Sequence, residues 1–143
     1  MKNIVVLGGG ISGYGSAILA KKKGFGVFLS DAGRIADRYK AKLDEWEVPY
    51  EEGGHSEERI LAATEVVKSP GIPDTAPMVC KIREAGIPVV SEMEFAGRYL
   101  GKAKCICITG SNGKTTTTSL IYKIMRDAGE NVALGGNIGE SFA

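Results

Sequence analysis

Ile106-Cys107-Ile108-Thr109-Gly110-Ser111-Asn112-Gly113-Lys114-Thr115-Thr116 runs from an apolar stretch through a glycine-punctuated turn into a helical pattern. Residues 105–109 predict a buried strand and residues 115–128 a helix, so the turn lies between them. The general phosphate loop reads G-x-x-x-x-G-K-[ST]. Gly113-Lys114-Thr115 supplies its second half, but Ile108 stands where the first glycine would fall, so this is a shorter variant opened by Gly110. The chemistry still follows. Backbone N–H groups of Gly110, Ser111, Asn112, Gly113, Lys114, Thr115 and Thr116 can line a concavity for phosphate oxygens, and the helix dipole adds to it. Lys114 can reach the β- and γ-phosphates of ATP, and the Thr115 hydroxyl can ligate Mg²⁺. The bland alternative, a glycine turn with an incidental lysine, leaves the strand–loop–helix order unexplained.

Outward from this loop, short apolar runs alternate with helical stretches. Strands are predicted at 4–7, 27–29, 48–50, 65–68, 87–90, 105–109 and 131–134. Helices are predicted at 11–23, 35–46, 57–63, 76–85, 92–100 and 115–128, with Ser56 placed to cap the third. Continuous apolar strands joined by helical crossovers imply a parallel sheet covered on both faces. The fold class is therefore α/β: a small Rossmann-like parallel-sheet domain over 1–93, then the start of a P-loop-type α/β ATP-binding domain over 94–143, hinged near Gly101. A nucleotide-binding domain of that kind needs more strands than follow, so the chain is expected to be the N-terminal piece of a longer protein.

A second glycine loop, Gly8-Gly9-Gly10-Ile11-Ser12-Gly13, fits G-x-G-x-x-G after a strand and at the start of a helix. Asp31 closes the next strand, where an acid commonly meets a ribose hydroxyl. Three readings stay open on these residues: a dinucleotide such as NAD or FAD, a nucleoside diphosphate such as a UDP-sugar, or a turn that only permits tight packing.

Composition narrows the classes. Hydrophobic residues make up 43% of the chain, enough for a core, and the net charge of +1 is spread without a basic stripe, so no nucleic-acid partner is expected. The basic run Lys21-Lys22-Lys23 falls at a helix end, where it suits the dipole. No apolar run approaches the roughly 18 residues of a membrane span, and the N-terminus lacks a signal-peptide pattern. Three cysteines predict a reducing, cytoplasmic setting rather than a disulfide framework. Cys105 and Cys107, with no further ligand nearby, are expected to pack in the core. His55, the only histidine, is expected to be structural or exposed, Trp46 to be core or semi-buried, and Glu51, Glu52, Glu57 and Glu58 to be solvated.

Thr109-Gly110-Ser111-Asn112-Gly113-Lys114-Thr115-Thr116 resembles the T-G-[ST]-N-G-K-[ST]-T loop of the Mur ligase family. Gly8 to Gly13, Ser69-Pro70-Gly71-Ile72, Ser91-Glu92-Met93-Glu94-Phe95 and Gly135-Gly136-Asn137-Ile138-Gly139 are most similar to the member that adds D-glutamate to UDP-N-acetylmuramoyl-L-alanine. The resemblance spans the chain. It implies an ATP-dependent ligase of peptidoglycan precursor synthesis, working through an acyl phosphate as a monomer, with ATP and Mg²⁺ as cofactors. Lys114 would act on the transferring phosphoryl group. Ile11, Ser12, Asp31, Pro70 and Gly71 would line the UDP pocket, and Asn137 would touch the substrate from the second domain. Where the family often carries Thr-Arg after the aspartate, this chain has Ala32-Gly33-Arg34. The family's metal-binding Glu, carbamylated Lys, metal-side His and third domain would lie beyond Ala143, so this chain alone is expected to be inactive. The alternatives are an L-alanine-adding member of the family and an NAD-binding redox or sensor module.

Overall fold

A computed structural model describes residues 2–136 and 141–143 of the chain. Its first part is a five-stranded parallel sheet. The strands are β1 (Asn3–Leu7), β2 (Gly26–Asp31), β3 (Tyr50–Glu52), β4 (Glu65–Lys68) and β5 (Val89–Ser91), in the order β3-β2-β1-β4-β5. Between and after them come α1 (Ile11–Lys22), α2 (Asp37–Glu45), α3 (Glu57–Leu61), α4 (Pro77–Glu84) and α5 (Glu92–Gly97). The chain steps outward from β1 to β2 and β3, then returns to the other side of β1 for β4. The sheet therefore reverses direction between β1 and β4, and in such sheets a crevice opens at the carboxyl ends of the two strands.

Alternation along each strand sorts the core into two layers. Ile4, Val6, Val27, Leu29, Val67 and Val90 share one face with Ala17 and Ala20 of α1, Leu43 of α2 and Phe95 of α5. Val5, Leu7, Phe28 and Val66 face the other way, against Ile60 of α3 and Met78, Val79 and Ile82 of α4. The small side chains of α1 let it lie close on the central strand. Its basic C-terminal end is tied to neighbours: Lys21 Nζ donates to the Glu47 carbonyl at 3.0 Å, while the Lys22 and Lys23 ammonium groups sit 4.8 and 4.9 Å from the rings of Trp46 and Tyr99.

One helix start and one cap differ instructively from expectation. The second helix starts at Asp37 rather than Ile35. Ile35 instead turns inward, 1% exposed, and its N–H donates to Glu52 Oε2 at 2.8 Å. Ser56 does sit at the N-cap of α3, but its hydroxyl donates to Glu51 rather than capping the helix.

The last part is one helix, α6 (Lys114–Asp127), flanked by extended segments. The strands expected at 105–109 and 131–134 are not formed among the described residues. A strand is defined by its neighbour's hydrogen bonds, and these runs have no partner strand here. The same cause overturns the expected burial of Cys105 and Cys107. Both are exposed, with Sγ atoms 3.5 Å apart as residues two apart on one face would place them. Among the described residues no helix is long and apolar enough to cross a membrane.

Phe95 is fully buried and meets Tyr99 edge-on at 5.5 Å. Phe95→Ala is expected to cost about 3–5 kcal/mol in denaturant unfolding, since it empties the layer that joins α5 to α1.

Candidate functional site

The first glycine loop sits at the mouth of the crevice. Gly8 adopts φ +95° and donates its N–H to the Ser30 carbonyl at 2.9 Å. A Cβ on Gly13 would stand 1.7 Å from the Gly8 carbonyl oxygen, so only glycine lets α1 start this close to the end of β1. A Cβ on Gly9 would stand 2.5 Å from Ile35 Cγ1, which explains why Ile35 is turned inward. Gly10 caps α1 without a side-chain bond, and the helix carbonyl ladder begins at Tyr14 N–H to Gly10 O, 3.0 Å. The N–H groups of Ile11, Ser12 and Gly13 therefore have no acceptor within the helix, which makes this end receptive to an anion.

Asp31 ends β2 with both carboxylate oxygens engaged. Oδ2 accepts from Gly9 N–H at 2.5 Å and Oδ1 from Gly33 N–H at 2.7 Å. It thus holds the glycine loop as well as facing the crevice. Across the reversal point, Ser69 follows β4, and its hydroxyl is buried with no hydrogen-bond partner. That oxygen lies 2.8 Å from where a Gly8 Cβ would be. A buried orphan hydroxyl beside free helix N–H groups is what a bound phosphate oxygen would satisfy. Pro70 and Gly71 follow, both exposed at the crevice rim. A cavity of 440 Å³ opens beside the loop, lined among others by Gly8, Asp31, Ala32, His55, Ile72 and Met78.

Behind the β2 end lies a polar cluster in which Glu51 is hydrogen-bonded rather than simply solvated. Ser30, fully buried, has its Oγ 2.6 Å from Glu51 Oε1 and 2.6 Å from His55 Nδ1. Glu51 Oε1 also accepts from Ser56 N–H at 2.7 Å. Burial pushes the Glu51 carboxyl up, but the hydrogen bonds from Ser30 and Ser56 outweigh it and leave its pKa below the ordinary carboxylate value. Glu52 is likewise lowered, first by the Ile35 N–H and then by Lys40. No pattern in the linear sequence joins Ser30 to Glu51 and His55; the parallel pairing of β2 with β3 does so, with Ser30 opposite Glu51. Arg34, in the segment that departs from the family's Thr-Arg, pairs with Asp37 at 3.6 Å on the surface.

The second loop is an open cradle. Gly110 and Gly113 adopt φ +146° and +76°, and Gly113 is the N-cap of α6 without a side-chain bond. Thr117 N–H is satisfied by Gly113 O at 2.9 Å, which leaves Lys114, Thr115 and Thr116 N–H groups without helical acceptors. The Lys114 ammonium folds back over the loop, donating to the Gly110 carbonyl and, at 3.3 Å, to that of Ser111. It therefore lies over the loop rather than pointing away from it. Ser111, Asn112, Thr115 and Thr116 are exposed around it. Asn137 lies outside the described residues.

Fold and sites together define a class: an α/β protein with a glycine-loop crevice in a five-stranded parallel sheet, followed by a second glycine loop at the head of a helix. Residues 2–91 match the model of the Mur ligase MurD-like N-terminal domain, and residues 108–142 that of the Mur ligase middle domain. The chain belongs to the Mur ligase family. It is 63% identical over its full length to a UDP-N-acetylmuramoylalanine–D-glutamate ligase of Bacteroides fragilis, and 61% to that of Bacteroides thetaiotaomicron. It spans 32% of the length of each. A crystal structure of a murein peptide ligase from Psychrobacter arcticus superposes with a TM-score of 0.69 at 27% identity, over 90% of this chain and 27% of that one.

Glu51→Gln is expected to lower stability at pH 7 by about 1–2 kcal/mol, since two hydroxyls and an N–H lose a charged acceptor. The Glu51 pKa is depressed in the folded chain, so its contribution is present above the unfolded value and is lost as pH falls through the folded one. The gap between parent and variant in thermal unfolding should therefore narrow as pH falls below the ordinary carboxylate range.

Proposed function

We propose that the chain is the substrate-binding and phosphate-loop portion of a ligase that joins D-glutamate to UDP-N-acetylmuramoyl-L-alanine, at the expense of ATP, in peptidoglycan precursor synthesis. The observation that carries this reading is the crevice between β1 and β4. Three free N–H groups at the start of α1 and the orphan Ser69 hydroxyl meet there, in a chain 63% identical to a D-glutamate ligase. The names of the relatives at 61–63% identity favour D-glutamate over L-alanine as the added amino acid.

In this reading residues 1–93 bind the UDP part, and residues 94–143 begin the ATP-binding domain. Ile11 and Ser12 offer N–H groups to the diphosphate, and Pro70 and Gly71 shape the opposite rim. Asp31 keeps the glycine loop in place, and Asn137 reaches the substrate from the second domain. At the second loop, Gly110 to Thr116 present N–H groups to the triphosphate. Lys114 swings from the Gly110 carbonyl to the β- and γ-phosphates, and Thr115 offers its hydroxyl to Mg²⁺. The substrate carboxylate attacks the γ-phosphorus and the bond to ADP breaks. The amine of D-glutamate then attacks the acyl carbon; a C–N bond forms, phosphate leaves and the amine gives up a proton. Lys114 balances the charge that builds on the transferring group. The protein is taken to act as a cytoplasmic monomer.

An NAD-binding module is the competing reading. It leaves the second loop without a role. Calorimetric titration of the chain separates the two: UDP should bind and NADH should not compete with it. Lys114→Ala should leave UDP affinity unchanged and weaken ATP at least tenfold. Displacement of UDP by NADH, or an ATP affinity indifferent to Lys114, would contradict the proposal.

A further inference from the structure

Gly13 is required against the Gly8 carbonyl, but Gly15, also buried in α1, is required for a different reason. Glycine is a poor helix former, so its place inside a helix calls for a packing cause. A Cβ on Gly15 would stand 2.1 Å from Ser141 Oγ, 2.3 Å from Ser141 Cβ and 3.1 Å from the Ala143 carbonyl oxygen. All three atoms belong to the segment 141–143, which follows the second glycine loop and its helix. Beside this notch lies Glu92, the first residue of α5 and only 8% exposed. Carboxylates are rarely buried without a partner. The Ser141 hydroxyl donates to Glu92 Oε1 at 2.6 Å and accepts from Ala143 N–H at 3.1 Å, so both its roles are filled.

We propose that the notch formed by Gly15 and Glu92 is a docking seat for segment 141–143, and that this seat fixes the second glycine loop in position relative to the crevice of the first. Glu92 is then a positioning residue. The chain passes from the sheet to the second loop through Gly101, at φ +62°. A single covalent crossing leaves two bodies free to turn about it. The seat supplies a second point of attachment. The segment is well placed to transmit it. Its other side lies on Gly135, where a Cβ would stand 3.2 Å from the Ser141 carbonyl oxygen and 3.3 Å from Phe142 Cα. Phe142 also lines a cavity of 1070 Å³ with Lys114, Thr115 and Ile121 of α6, so the docked segment borders the second loop itself. On α1 the seat falls three residues after Ser12, one turn beyond the free N–H groups that face the crevice. Both glycine loops are thereby referred to the same helix.

The test is NMR on the 143-residue chain, with amide exchange at Ala143 reporting the seat and ¹⁵N relaxation reporting how α6 tumbles relative to β1–β5. In the unsubstituted chain the Ala143 amide should exchange about tenfold more slowly than in an unstructured chain, and α6 should share the rotational correlation time of the sheet. Gly15→Ala and Glu92→Leu both leave Ser141, the direct acceptor of that amide, in place. Each should nonetheless abolish the protection and give α6 a shorter correlation time than the sheet. Glu92→Gln, whose amide oxygen can still accept from the Ser141 hydroxyl, should keep most of both. If Glu92→Leu also speeds exchange at Val6 and Leu29, it has loosened the sheet, and Gly15→Ala, which favours the helix, decides alone. Exchange of Ala143 at the unstructured rate in the unsubstituted chain overturns the proposal. So does a Gly15→Ala variant with Ala143 protection and α6 tumbling unchanged. No nucleotide enters these measurements, so their outcome is independent of what the crevice binds.

Discussion

The approach of α1 to the end of β1 governs the first part of the molecule. With hydrogen in place of a side chain at Gly13, the helix begins almost on the Gly8 carbonyl, and its free N–H groups open into the crevice. Everything else at that edge serves the same contact. Asp31 pins Gly9 from β2, Ile35 fills the space beside it, and Ser69 closes the far side from β4. Three chain segments far apart in sequence are thereby held around one opening.

The two glycine loops reach similar chemistry by different routes. At the first, the loop is buried in a finished sheet and its geometry is over-determined by neighbours. At the second, Gly110 and Gly113 set the turn, but the flanking runs have no strand partners, and Lys114 rests on carbonyls of its own loop. An ammonium on carbonyl oxygens is a weaker arrangement than one on phosphate oxygens, because the charge is only partly met. In the proposed reading the ammonium leaves those carbonyls for a phosphate.

Much of this was legible in the linear pattern. The order of strands and helices over the first 100 residues follows from apolar runs between glycines, and both loops were found by spacing and context. What escaped has identifiable causes. The strands around Cys107 and Val132 depend on partners, which no local pattern reveals. Glu51 and His55 look like loop polar residues until β2 and β3 pair and bring Ser30 between them. The Ser69 hydroxyl belongs to the Ser69-Pro70-Gly71-Ile72 segment, yet only burial without a partner sets it apart. Ile35 fits the helical spacing, whereas contact with Gly9 decides its place.

Gly13→Ala probes the central contact most directly, with unfolding and UDP titration followed on the same sample. Alanine favours a helix intrinsically, so any loss must come from the clash with the Gly8 carbonyl. The account predicts a net loss of about 2–3 kcal/mol together with abolished UDP binding. A variant as stable as the parent, with UDP affinity intact, would contradict it.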